Sequence, residues 1–390
     1  VRILHTSDWH LGRTFESISL EDDQRAFVSW LCGVVVEHGV DVVVVAGDVW
    51  DRANPKAEAV TLMEESLNAV AATGATVIAI AGNHDSAARL AYGASWAKNY
   101  GIILVTEDVG YPTPVIVERH GESVGFVAVP YRDPQRTIAP VPAGDGTTRL
   151  RTHTAVLEDA LIDGRRQLDG SSVVATVAVA HAYVSGSATS DSERRYVGGA
   201  DQVPLSLFEG FDAVLLGHLH RYQEFDEGRV AYCGSPLPYS FSETADKAVR
   251  ILDVGAQGLT SIERVEIPVG VAFGRGVSTL TGTLEELLTD ARFAEAEQRF
   301  VAARLTNETL QIDAKAKLET RFPHIVNVTR EVSAAPRGDG PAVPSAALIE
   351  EDPLTVIATF LDQVHGQPPS SEERELLAGV IDAVLQGGSK

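Results

Sequence analysis

The chain has 390 residues, with 32 Lys+Arg against 54 Asp+Glu for a formal net charge of −22, and only two cysteines, Cys32 and Cys233. That length allows one full core plus a further module, and two distant cysteines exclude a disulfide scaffold and favour a reducing compartment, the cytosol. The acidic balance points away from a stand-alone nucleic-acid binder, because polyanions are repelled on average unless metal, a local basic patch or a partner offsets the charge.

The first segment, Val1-Arg2-Ile3-Leu4, is apolar without a basic leader, and no later segment reaches about 18 consecutive apolar residues, so neither a signal peptide nor a membrane span is expected. Strand-length apolar runs then recur over the first 254 residues: Arg2–His5, Val42–Ala46, Val77–Ala81, Val124–Val129, Val173–Ala180 and Ala213–Leu216. Between them Ala57–Ala72 and Ala87–Lys98 have helical character, the first announced by Asn54-Pro55, so the pattern predicts an α/β domain with buried sheets. Residues 140–149 are expected to be a surface loop.

After about residue 270 the character changes. A helix is predicted over Leu284–Ala296, a strand over Phe300–Leu305, a helix over Ile312–Arg321 and a strand over His324–Val328, giving a small α/β domain over 271–331 after a first domain of 1–270. Residues 332–349, rich in Ala, Pro and Gly, are expected to be a flexible linker. In the tail, 350–390, two amphipathic helices are expected. Leu354, Ile357, Phe360, Leu361 and Val364 fall on one face of the first. Leu376, Leu377, Val380, Ile381, Val384 and Leu385 fall on one face of the second, with Ser370 and Glu373 spaced as a capping box.

Five of the predicted strands stop where metal-binding side chains begin: Asp8-Trp9-His10, Gly47-Asp48, Gly82-Asn83-His84-Asp85, His181, and Gly217-His218-Leu219-His220. Ligands gather beyond the carboxyl ends of strands in α/β folds, so these groups can meet although they are far apart in sequence. Two divalent ions roughly 3.5–4 Å apart can bind a phosphodiester and stabilise both attacking and leaving oxygens. Holding them needs a carboxylate that ligates both, and Asp48 is the candidate. Asp8, His10 and His220 would complete one shell, and Asn83, His181 and His218 the other. If the backbone is extended, the i, i+2 spacing of Asp8/His10 and His218/His220 puts each pair on one face. Glycines 12, 47, 82 and 217 would allow tight turns beside the ions. Such a nitrogen and oxygen shell suits Mn²⁺, Fe²⁺ or Zn²⁺ better than Ca²⁺. His84 is expected to act as general acid toward the leaving oxygen, with Asp85 orienting its imidazole. The arginines that follow ligand loops, Arg13, Arg52 and Arg89, are candidate phosphate contacts.

The set Asp-x-His, Gly-Asp, Gly-Asn-His-Asp, His, Gly-His-x-His resembles the calcineurin-like metallophosphoesterases, with Ala180-His181 where many relatives have Gly-His. Within them it is similar to the bacterial SbcD nuclease subunits, through Ile3-Leu4-His5-Thr6-Ser7-Asp8-Trp9-His10-Leu11-Gly12, Ala46-Gly47-Asp48-Val49-Trp50-Asp51-Arg52 and Gly234-Ser235-Pro236-Leu237-Pro238-Tyr239-Ser240-Phe241-Ser242-Glu243. The resemblance covers about residues 1–254 in words and the remainder in layout. It implies a four-layer αββα sandwich with a capping domain and C-terminal helices, and a Mn²⁺-dependent, ATP-dependent double-strand exonuclease that also nicks hairpins. It further implies a nuclease homodimer assembled with two chains of the ATPase SbcC, whose coiled coil the tail helices dock on, at work in the cytoplasm on nucleoid DNA. Leu62, Met63, Leu67, Leu90 and Trp96 become candidates for the dimer interface. A phosphoesterase acting on a small phosphodiester is the alternative.

Overall fold

A computed structural model describes residues 1–106, 113–135, 141–142, 148–149, 152–193, 202–268, 276–307, 309–330, 353–365 and 368–387. The chain divides into two compact units, Val1–Glu331 and Val332–Lys390.

The first unit is built on two six-stranded sheets. In the first, β1 (Arg2–Thr6), β2 (Val42–Val45), β3 (Thr76–Ile80) and β4 (Ile102–Val105) run parallel. The second sheet centres on β6 (Glu122–Val129), β7 (Ala175–His181), β8 (Ala213–Gly217) and β10 (Val230–Tyr232), again parallel. Antiparallel edges finish each sheet: β11 (Ala248–Gly255) and β12 (Gly258–Glu266) beside β1, and β5 (Val115–Arg119) and β9 (Gln223–Phe225) on the outer strands of the second.

These strands are apolar on both faces because both faces are covered, as parallel sheets require. Ile3, Val42, Val44, Ile78 and Ile80 of the first sheet meet Val124, Phe126, Val177, Val179 and Leu215 of the second in a layer between the sheets. On the far face of the first sheet Val43, Val45, Val77 and Ala79 pack with α1 (Glu21–Glu37) and α2 (Ala57–Ala71). On the far face of the second, Val127, Ala178, Val214 and Leu216 pack with α3 (His153–Leu168), whose Thr152 side chain caps it by accepting the Ala155 N–H. At about 1.5–3 kcal/mol for each fully buried aliphatic side chain, these three layers supply the bulk of the folding drive. The architecture is the four-layer αββα sandwich.

The helix expected over Ala87–Lys98 is instead two short turns, Ala87–Leu90 and Ala94–Ala97, because Gly93 between them takes a left-handed φ of 78°. Of the residues expected at an interface, Leu62, Leu67 and Leu90 are buried in the core, and Met63 is partly buried against it. Trp96 is 66% exposed beside Tyr92.

Residues 277–330 form a three-stranded parallel sheet of β13 (Val277–Gly282), β14 (Phe300–Leu305) and β15 (Ile325–Arg330), with α4 (Leu284–Thr289), α5 (Ala314–Glu319) and their own apolar cluster. The helix expected over Leu284–Ala296 stops at Asp290, whose backbone is extended (ψ 127°) and whose side chain accepts the Arg292 N–H to start a 3₁₀ segment, Ala291–Ala296. This sheet meets the ends of the sandwich through Phe300, stacked on Phe15 at 4.5 Å, and through Val277 near Leu237 and Tyr239.

Of the expected loop over 140–149, the described residues form two short strands, Val141–Pro142 and Thr148–Arg149, paired antiparallel. The expected linker, 332–349, lies outside the described residues. In the second unit, α6 (Pro353–His365) and α7 (Ser371–Gly387) are the two tail helices. At Ser370 the capping box forms: its hydroxyl accepts the Glu373 N–H at 3.3 Å, while the Glu373 carboxylate accepts the Ser370 N–H at 2.7 Å. Leu376 and Val380 of α7 are exposed. Among the described residues no helix is long and apolar enough to cross a membrane.

Candidate metal centre

The carboxyl ends of β1, β2 and β3 in one sheet and of β7 and β8 in the other point to the same rim, and all seven expected ligands meet there. The loop after β1 is zipped to the loop after β2 by Asp8 N–H to Gly47 O (3.0 Å), His10 N–H to Asp48 O (2.9 Å) and Leu11 N–H to Val49 O (2.8 Å). Buried Trp9 anchors it edge-on against Phe27, and Gln24 on α1 donates to the His10 carbonyl.

The side chains do not converge by strand alternation. Asp8 (φ 53°), His10 (45°), Asp48 (49°) and His218 (104°) are left-handed residues, so the extended backbone expected for Asp8-x-His10 and His218-x-His220 is absent. Beyond Thr6 and Gly217 the ladders have ended, and the chain coils back on itself to aim each side chain at the centre. Non-glycine residues there cost of order 1–3 kcal/mol each and persist where the surroundings over-determine them, which happens at functional sites. Gly47 turns (φ 94°) as expected, and a Cβ on it would lie 2.3 Å from His181 Nδ1. Gly82 does not turn; it is glycine because a Cβ would lie 2.2 Å from Asp48 Oδ1 and 2.3 Å from the Asp48 nitrogen. Gly82→Ala is therefore expected to displace the Asp48 carboxylate and to lower stability by about 1–3 kcal/mol, as overpacking does. Thermal melting together with Mn²⁺ titration checks it, and unchanged metal stoichiometry would count against the crowding.

Asp48 lies at the middle of the cluster. Its Oδ2 is 3.5 Å from His10 Nε2 and 3.5 Å from His181 Nε2, while Oδ1 accepts the His84 N–H at 2.8 Å. On one side His10 Nε2 and His220 Nε2 face each other at 3.2 Å, with Asp8 held by Ser7 and by the His218 N–H. On the other side Asn83 Oδ1 is 2.9 Å from both His181 Nε2 and His218 Nδ1. Three groups have all their ligand atoms within 4.8 Å of one another: Asp8, His10 and His220; His10, Asp48 and His84; Asp8, Asp48 and His181. These groups overlap, and Asp48 belongs to two of them.

The donor chemistry fits divalent cations. Two imidazole nitrogens facing each other share at most one proton, whereas a cation satisfies both. The titration of the cluster agrees. Burial pushes the Asp8 carboxyl up to about 6 despite His181 and His220. Burial also opposes ionisation of Asp48, but the imidazoles of His181, His84 and His10 outweigh it and hold Asp48 well below the carboxylate range. His181, disfavoured by burial but drawn by the charge of Asp48, is raised to about 9. Burial and His181 push His218 down to about 3, and burial keeps His10 neutral with its lone pair available. The cluster as a whole attracts positive charge.

The expected role of Asp85 needs correction. Its carboxylate accepts three backbone N–H bonds, from Val49 (3.0 Å), Trp50 (2.8 Å) and Gly82 (2.8 Å), and so clamps the β2 and β3 loops together. The His84 imidazole is oriented elsewhere, its Nδ1 lying 2.8 Å from the Asp51 carbonyl oxygen. Asp51 also pairs with Arg13 at 2.9 Å, and Arg13 lies 4.6 Å over the Tyr239 ring. Arg13 is thus a brace within the site. Arg52 is 70% exposed, 3.3 Å from Asp51, and Arg89 is exposed.

Several supporting residues had no role assigned from the sequence, although Tyr239 and Glu243 lie in the segment 234–243 that carries the resemblance. Tyr239 donates to the Trp9 carbonyl at 2.7 Å with its ring edge-on to His10 and His220. Buried Glu243 and Lys247 pair behind His220, and Glu193 accepts the His220 N–H at 2.9 Å. Beside His181 and His218 opens a cleft lined by Tyr131, Arg132, His153, Leu157 and Tyr183.

Fold, rim and ligand set together define a metal-dependent phosphodiester hydrolase. The calcineurin-like phosphoesterase family model matches residues 1–222, and the chain belongs to that family, whose members use divalent metals. A second family model, described as a type 5 capsule protein repressor C-terminal domain, matches residues 274–365. Over 389 residues the chain is 27% identical to the SbcD subunit of nuclease SbcCD from Staphylococcus epidermidis, covering 98% of this chain and 99% of that one. Among solved structures, GAP50, the anchor in the inner membrane complex of Plasmodium, aligns over 89% of this chain and 98% of its own at 13% identity, with a TM-score of 0.39 that supports no argument.

Proposed function

We propose that this chain is the nuclease subunit of an SbcCD-type complex, hydrolysing DNA phosphodiesters at a two-ion centre. The observation that carries the reading is the buried cluster of overlapping ligand groups with Asp48 Oδ2 at 3.5 Å from both His10 Nε2 and His181 Nε2. Similarity to the SbcD subunit of an SbcCD nuclease over nearly the whole of both chains supports it. In this reading Asp8, His10 and His220 would hold one ion, Asn83, His181 and His218 would hold the other, and Asp48 would serve both. Bound there, divalent ions, Mn²⁺ by the resemblance to SbcD, would supply Lewis-acid polarisation of the phosphodiester and a water of lowered pKa. His84 supplies the proton to the leaving oxygen from Nε2, since its Nδ1 is held by Asp51. Exposed Arg52 and Arg89 meet the phosphates on either side.

The substrate is linear duplex DNA and DNA hairpins, and the partner is an SbcC-type ATPase. Two nuclease chains pair with two ATPase chains, and the partner supplies the positive surface that a chain of net charge −22 lacks. Docking falls to α6 and α7, amphipathic helices that leave Leu376 and Val380 exposed. Deleting 350–390 is expected to abolish co-purification with the ATPase while hydrolysis of bis-p-nitrophenyl phosphate stays within twofold or so of the full chain. Retained association would move the docking site elsewhere.

The deciding experiment is cleavage of linear duplex and hairpin DNA by the purified chain with Mn²⁺, with and without the ATPase and ATP. Mn²⁺-dependent cleavage stimulated by the partner is expected. The acidic balance favours one other reading, a small phosphodiester as substrate. Efficient hydrolysis of small diesters with no cleavage of DNA under any of these conditions would establish it instead.

A further inference from the structure

We propose that Ser192 and Glu243 are positioning residues that fix the tautomer of His220. The proposal rests on the reading of His220 as a metal ligand. His220 Nδ1 lies 2.6 Å from Ser192 Oγ, and Ser192 Oγ lies 2.5 Å from Glu243 Oε1. An ionised carboxylate only accepts, so the single serine proton goes to Glu243 and the serine oxygen must accept from His220 Nδ1–H. With its proton on Nδ1, His220 presents a bare lone pair at Nε2, the atom that faces His10 Nε2 at 3.2 Å. The relay runs from carboxylate through hydroxyl to imidazole, and its direction is set at the Glu243 end.

Glu243 is itself held rigidly. It pairs with buried Lys247, and it accepts from Ser235 Oγ at 3.3 Å and from the Tyr239 N–H at 3.3 Å. Lys247 also donates to the His220 carbonyl at 3.0 Å, so the same charge pair grips both ends of the ligand residue. His181 is oriented more simply, with Nδ1 at 2.9 Å from the Ala46 carbonyl oxygen. A backbone acceptor cannot be mutated away or displaced, whereas the arrangement at His220 depends on a serine 28 residues upstream. Partners of this kind typically change metal affinity by about 10–100-fold when removed.

The test uses the full chain. In metal-free protein labelled with ¹⁵N-histidine, with His220→Ala to assign the signal, His220 is expected to carry its proton on Nδ1. Ser192→Ala is expected to shift it toward Nε2–H and to weaken one of two Mn²⁺ sites in a calorimetric titration by roughly 10–100-fold. Ser192→Thr, which keeps the hydroxyl, should restore both. Glu243→Gln should weaken the same site, and melting of the metal-free variants separates these effects from loss of fold. A Ser192→Ala protein with unchanged tautomer and unchanged Mn²⁺ affinity overturns the relay while leaving the ligand reading intact. If His220→Ala itself binds Mn²⁺ like the parent, the ligand reading falls and the relay with it.

Discussion

Asp48→Asn is expected to abolish binding of the ion pair and to reduce cleavage on the order of 10³-fold or more, because the ions supply several kcal/mol of transition-state stabilisation. The substitution preserves size and leaves one oxygen to accept the His84 N–H, so the fold has no steric reason to fail. What it removes is the charge between His10 and His181, each 3.5 Å from Oδ2. Calorimetry should show that two equivalents of Mn²⁺ no longer bind, and the melting transition should remain cooperative. A folded Asp48→Asn protein that takes up two equivalents and cleaves within tenfold of the parent would remove the basis for a bridged centre.

His84→Ala carries the second large effect. Loss of a general acid costs about 10²–10⁴-fold when the leaving group needs a proton. DNA leaves as an alkoxide and needs one; p-nitrophenolate does not. Cleavage of DNA should therefore fall by that factor while bis-p-nitrophenyl phosphate is hydrolysed within several-fold of the parent rate, with Mn²⁺ stoichiometry kept. The control matters because a ring nitrogen of His84 lies close enough to His10 and Asp48 to serve as a ligand. Equal losses on the two substrates would mean that His84 holds a cation or shapes the site and does not donate the proton.

Much of the centre could be read in the sequence for one reason: ligand residues placed where apolar strands stop are exposed to a shared rim by the fold itself. The five strand ends named the seven side chains that the structure brings together. How they come together was not readable. Alternation along an extended chain is the default for an i, i+2 pair, and nothing in Asp8-Trp9-His10 announces φ values of 53° and 45°, which the pairing with residues 47–49 imposes. Adjacency also misled at Asp85. A carboxylate next to a candidate acid histidine suggests contact, yet three backbone N–H groups claim it, and the orienting acceptor comes from the Asp51 carbonyl. Glu243 and Ser192 carry no motif that links them to His220 and are recognisable only once the loops are folded. In contrast, the break at Gly93 was available in the sequence as a glycine inside a helical pattern.

The left-handed ligand residues have a consequence for the protein as a whole. Asp8, His10, Asp48 and His218 each hold a backbone conformation that an unfolded chain avoids, and together they crowd two acids and two imidazoles away from water. The sandwich must absorb that unfavourable local energy from its apolar layers. Cations that bind only the folded form return part of it by mass action. If these residues hold cations as proposed, loss of metal is a route to local opening at this rim as well as to inactivity, and the lifetime of the folded chain in a metal-poor environment is tied to the atoms of the centre.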